Sequence, residues 1–102
     1  MKSERTIFAA EAAPLVVAVL VLADANALAL AASVDPMRAA NRRAGRTVYI
    51  WRYFSQNGGP VPLTAGFEIA TEPLSERSEA DALMIVAGFR LAEQATPPLL
   101  TR

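Results

Sequence analysis

The sequence has 102 residues with ten acidic and ten basic side chains, and neither Cys nor His. Thiolate nucleophiles, disulfides, imidazole bases and the usual nitrogen ligand of transition metals are therefore excluded. A Ser/His/Asp triad and a Cys/His pair cannot be assembled. Carboxylate or lysine chemistry, binding and assembly remain. Two short groups of residues are placed where a ligand could sit. Asp24 and Asn26 follow directly on one apolar run, and Ala87 and Gly88 close another. Beyond the carboxyl ends of parallel strands is where open α/β sheets collect ligands. Asp24 and Asn26 also have the residue types that cap a helix, so the same positions carry a plain structural reading.

Other groups weigh less. Arg38, Arg42, Arg43 and Arg46 could face a phosphate, but a solvated helix face near a helix carboxyl end needs the same residues. Tyr49, Trp51 and Tyr53 could stack a base, or simply pack in a sheet layer. Asn57-Gly58-Gly59 lacks a following Gly-Lys-Ser/Thr and opens no helix, so it is a turn and not a phosphate loop. Glu72, Glu76 and Glu79 read as a solvated acidic loop ahead of a metal site. No cofactor and no metal is implied.

The elements that must position these residues follow from the pattern. A chain 53% hydrophobic and 20% charged has the composition of a folded domain, and its length suits one at most. Balanced charge gives no global field toward nucleic acid. Lys2 and Arg5 ahead of the apolar run Leu15–Leu22 suggest a secretory signal at first glance. Glu4 and Glu11 oppose that, and the run, opened by Pro14 and closed before Asp24, has the profile of a buried parallel strand. It is also far short of a membrane span. Residues 1–13 form a lead-in and residues 14–102 the domain. Ala27 to Ala44 is helical, with Leu30, Val34 and Met37 on one face and Gly45 as its stop. Pro36 predicts either a kink or a break, with a second helix starting there. Thr47–Ser55 alternates with both faces largely covered, and residues 56–60 turn. Val61–Leu63 and Gly66–Ala70 pair as a small hairpin, 71–80 is a loop, and Asp81–Gly88 is a second apolar strand. Leu91–Ala95 begins an amphipathic segment. The order predicts an α/β sheet with mostly parallel strands.

Several motifs then line up in sequence. They are Val34-Asp35-Pro36-Met37-Arg38-Ala39-Ala40-Asn41, then Tyr49-x-Trp51-Arg52, Asn57-Gly58-Gly59-Pro60-Val61, Ala65-Gly66, and Asp81-Ala82-Leu83 with Val86-x-Gly88. Over residues 15–90 this resembles the amino-terminal part of the PfpI-like sensor domain of GlxA-type AraC/XylS transcription regulators, within the class I glutamine-amidotransferase-like superfamily. The resemblance implies a flavodoxin-like three-layer αβα fold of which this chain holds the first half. It also implies a homodimer, a small-molecule effector, a cytoplasmic setting without a membrane, and DNA contact only through a carboxyl-terminal helix-turn-helix domain absent from this chain. Catalytic relatives carry a Glu in the first helix where Ala29 stands here, and Gly88 is followed by Phe89 where the regulators often repeat Gly. Both departures point to a non-catalytic sensor, with Asp24, Asn26, Ala87 and Gly88 as the pocket residues. A fragment of a PfpI-like hydrolase, hydratase or deglycase, and a small free-standing α/β binding protein, are the alternatives. Half a sheet would also leave an edge and apolar faces open to self-association.

Overall fold

A computed structural model describes residues 13–75 and 79–88. The lead-in up to residue 12, Glu76 and the Leu91–Ala95 segment lie outside the described residues. The elements are β1 (Leu15–Val21), α1 (Ala27–Ala44), β2 (Tyr49–Ser55), β3 (Gly59–Pro62), β4 (Glu68–Pro73) and β5 (Ala82–Val86). They form a five-stranded mixed sheet in the order β3-β4-β2-β1-β5. The α/β expectation holds. β1 pairs in parallel with β2 on one side and β5 on the other, β2 pairs in parallel with β4, and only the β3–β4 hairpin is antiparallel.

The unbroken apolar character of β1 follows from its place between two parallel neighbours. Val19 and Leu20, on opposite faces, are 0% and 1% exposed. The register puts Val17 and Val19 beside Trp51 and Tyr53 on one side and Ala82 and Met84 on the other. Together with Val21 and Val86 they make the face on which α1 packs. Leu30 and Met37 are buried there and Val34 packs against them, as the helical spacing predicts. The aromatic residues of β2 are sheet packing: Tyr49, Trp51 and Tyr53 are half-buried against this core.

The opposite face carries Ala18, Leu20, Leu22, Phe54 and Leu74 as a second buried cluster. Ile50, Leu83 and Ile85 share that face and stay exposed, at 41, 51 and 53%. Coverage of both faces of β2 was an overestimate. Arg52 stands on the same face, forms a bidentate ion pair with Glu72 of β4, and lies 5.7 Å from the centroid of Phe54. The acidic loop expected at 71–80 is therefore partly strand, because β4 runs through Glu72 to Pro73. The hairpin is likewise longer than its turn signals suggest, since Gly59 and Pro60 already pair with Thr71 and Ala70. Pro60 and Pro62 alternate with Gly59 and Val61, so the residues without an N–H fall on the outer side of the edge strand.

α1 is one continuous helix of 18 residues through Pro36. Pro36 removes the hydrogen bond that would reach the Ala32 carbonyl. Ala32 is exposed, so water can replace it and neither a break nor a second start is needed. Within the helix the Asp35 carboxylate accepts a hydrogen bond from Arg38 Nε at 2.7 Å. That hydrogen bond and the adjacent guanidinium charge hold the Asp35 carboxyl below the usual aspartate range. The pair is exposed and screened by salt. The true amino-terminal cap is Asn26, whose Oδ1 accepts from the N–H groups of Leu28 (2.9 Å) and Ala29 (3.1 Å). At the other end Gly45 has φ +69°, the Gly45 N–H donates to Arg42 O and the Arg46 N–H to Asn41 O, the pairing of a Schellman stop.

Asn41 couples that helix end to the sheet. Its Oδ1 accepts from the N–H groups of Val48 (2.7 Å) and Tyr49 (2.8 Å), and its Nδ2 donates to Tyr49 O at 2.9 Å. One carboxamide thus acts as a strand neighbour for the start of β2. No helix among the described residues is long and apolar enough to cross a membrane. Asn41→Ala would strand three backbone groups and should lower stability by about 2–3 kcal/mol. Asn41→Asp keeps the two acceptor bonds, loses the donor, and should fall between wild type and Ala in a urea melt; equal midpoints for all three proteins would contradict this role.

Candidate functional site

The carboxyl edge of the sheet is organised by the five residues between β1 and α1, Leu22 to Asn26. The Ala25 N–H donates to Leu22 O at 3.1 Å, closing a β-turn, and Asp24 sits at its third position with φ +61°. A type II turn requires positive φ there, a conformation Asp tolerates better than most residues with a side chain. Asp24 is also the one ionisable residue in this stretch.

From that turn the chain bonds to both sides of the sheet. Toward β5, the Leu22 N–H donates to Val86 O at 3.0 Å and the Asn26 N–H to Ala87 O at 3.5 Å. Toward the hairpin, the Asp24 N–H donates to Pro62 O at 2.8 Å, the Thr64 N–H donates to Ala25 O at 3.2 Å, and Ala25 bridges Leu63 in parallel. The outer edge of β3 is thereby covered by the β1–α1 crossover. Gly88 completes the arrangement on the other side. A Cβ there would lie 2.2 Å from the Asp24 carbonyl oxygen, so only glycine allows the two backbones to meet.

The four pocket residues named from the sequence are therefore brought together. Their roles in the geometry are specific: Asn26 caps α1, Asp24 holds the left-handed turn, Ala87 O accepts from this β1–α1 strap (residues 22–26) and Gly88 packs on it. Two cavities lined by described residues flank the strap, and none of the four lines either of these.

One cavity, of about 420 Å³, opens between the end of β1, the turn after β2 and β3. Ala23, Gln56, Asn57 and Pro60 are among its walls, over a floor that includes Val21 and Val61. Ser55, 7% exposed, also borders it. Its Oγ lies 2.6 Å from Thr71 Oγ1, which in turn donates to Gly59 O at 2.7 Å. Thr71 has a single hydroxyl proton, so Ser55 is the donor in the first bond. The second cavity, of about 340 Å³, is a groove between α1 and the sheet with Trp51, Tyr53, Leu63 and Phe67 along it and the Asp35–Arg38 pair at its rim. Of the three glutamates considered as a metal site, Glu72 is engaged by Arg52, Glu79 is exposed and Glu76 lies outside the described residues.

Two elements of this architecture are not evident from single residues. Asn41 looks like an ordinary helix-surface amide, and only its position just ahead of the Gly45 stop hints that it can reach back to β2. The Ser55–Thr71 contact joins the end of β2 to β4, sixteen residues apart, and has no local signal.

No family model matches the sequence. The chain is 34% identical over 85 residues to the HTH-type transcriptional regulator CdhR of Pseudomonas aeruginosa, a match covering 79% of this chain and 24% of that protein. It is 32% identical over 69 residues to the HTH-type transcriptional regulator GbdR of the same species, covering 68% of this chain and 19% of that protein. Its homologues are transcription regulators. The chain spans about a quarter or less of the length of these curated regulators. The crystal structure of an AraC family transcriptional regulator from Pseudomonas putida superposes with a TM-score of 0.69 at 23% identity, over 76% of this chain and 49% of that one, and establishes likeness of fold.

Gly88→Ala should destabilise the chain by about 2–3 kcal/mol, because the new methyl meets backbone and not a movable side chain. Asp24→Val should be less stable than Asp24→Gly by about 1–2 kcal/mol, because a β-branched residue disfavours the left-handed backbone. Denaturant midpoints of the three variants check the order; Asp24→Val matching Asp24→Gly would contradict it.

Proposed function

We propose that this chain is part of the ligand-sensing and dimerisation domain of an AraC/XylS-type transcription regulator, with a PfpI-like, GlxA-related and flavodoxin-like sensor fold, and that it is not an enzyme. The observation that carries the reading is the 34% identity to a transcription regulator across most of the chain, coinciding with a mixed, mostly parallel α/β sheet. The motif order read from the sequence supports the finer assignment. The first turn of α1 supports the non-catalytic one: it contains no acid, and Ala29 stands where the catalytic relatives of the resembling family have Glu. Without that carboxylate a thiolate elsewhere in the intact protein would lack its proton partner.

In this reading the effector is a small molecule bound at the carboxyl edge of the sheet, near Asp24, Asn26, Ala87 and Gly88. The domain works as a homodimer in the cytoplasm, and DNA is contacted by a carboxyl-terminal helix-turn-helix domain that this chain does not include. Extending the coding sequence past codon 102 tests it. The longer product should protect a discrete DNA site in a footprint, the 102 residues alone should not, and neither should show hydrolase, hydratase or deglycase turnover. A longer product with a Cys at a strand-to-helix elbow, measurable turnover and no DNA protection would overturn the proposal in favour of an enzyme.

A further inference from the structure

The cavity between the end of β1, the turn after β2 and β3 has a composition that selects a ligand chemistry. None of its ten lining residues is ionisable. A charged group placed against that floor would lose part of its water without gaining a counter-ion, which is unfavourable. The polar groups present are a hydroxyl and two carboxamides, those of Ser55, Gln56 and Asn57. The Ser55 proton is already committed to Thr71, whose own proton goes to Gly59 O, so toward any further partner Ser55 can only accept. The floor is apolar: Val21, Leu22 and Val61 are 1, 5 and 6% exposed.

The walls are also fixed in place. The β1 side is held by the Asp24 N–H bond to Pro62 O, which ties the crossover to β3 across one end of the cavity. The β2 side is held by Gly58, which packs so closely on β4 that a Cβ would lie 2.8 Å from Pro73 Cδ. Neither wall can collapse inward without breaking those contacts. A volume of about 420 Å³ falls within the range of preformed small-molecule sites.

We propose that this cavity binds a small uncharged molecule with an apolar body and a hydrogen-bond donor, a hydroxyl or a carboxamide, given to Ser55 and flanked by Gln56 and Asn57. The site is separate from the Asp24–Gly88 quartet, and it stands whether or not the chain belongs to a regulator.

Three nearly isosteric probes test it on the 102-residue chain: benzamide, benzoate and benzamidinium, followed by amide ¹H–¹⁵N shift mapping. Benzamide should give saturable shifts centred on Gln56, Asn57, Gly58 and Val61, with both charged isosteres at least about tenfold weaker. Ser55→Ala should weaken benzamide about fivefold, the loss of one hydrogen bond. Asn57→Asp, in an exposed turn that should leave folding intact, should reverse the preference toward benzamidinium. Absence of saturable shifts at these residues, shifts centred instead on Trp51 and Phe67, or equal binding of the three probes would each overturn the proposal.

Discussion

The contact between the Asp24 carbonyl and Gly88 is the constraint on which the carboxyl edge depends. Parallel strands place their chain ends at one side of the sheet, and the connection leaving β1 must pass over that side to reach α1. Here it does so as a turn closed by its own hydrogen bond, with Asp24 in the left-handed region and Gly88 against its backbone. The same five residues bond β5 through Leu22 and Asn26 and the hairpin through Asp24 and Ala25. The outer strands on opposite sides of β1 are thereby linked through one short segment. A β3 strand bearing two prolines gains edge protection from a segment that is not itself a strand.

That arrangement explains which parts of the fold can be read in the sequence. β1 declares itself because a strand between two parallel partners must be apolar on both faces, and Leu15 to Val21 has no polar residue. α1 declares its buried face through Leu30, Val34 and Met37 and its end through Gly45. Pro36 allows either one continuous helix or a break, and the exposed carbonyl one turn back lets the helix run on. The hairpin bounds mislead. Gly59 and Pro60 carry turn chemistry, but at an edge strand a missing N–H facing outward has no consequence. The apolar run in β5 resembles β1 in composition, yet Leu83 and Ile85 are half exposed, because composition reports hydrophobicity and not which layers are present.

For the candidate residues the sequence indicates their proximity better than their roles. Asp24, Asn26, Ala87 and Gly88 lie where strands end, and the fold does gather them. What their types could not convey is that Gly88 is required by a 2.2 Å approach, or that a cavity opens on the other side of β1 with Ser55 at its wall. Such facts arise from contacts between segments more than sixty residues apart in one case and from a hydroxyl relay across a hairpin in the other.

Hydrogen exchange of individual amides in wild type and Gly88→Ala measures coupling across the strap most directly. In wild type the amides of Leu22, Asp24 and Thr64 should be protected together. If the strap links β5 to the hairpin, Gly88→Ala should raise the exchange of Asp24 and Thr64, on the hairpin side, along with Leu22, by about tenfold or more each. Faster exchange confined to Leu22, with Asp24 and Thr64 as slow as in wild type, would contradict the account.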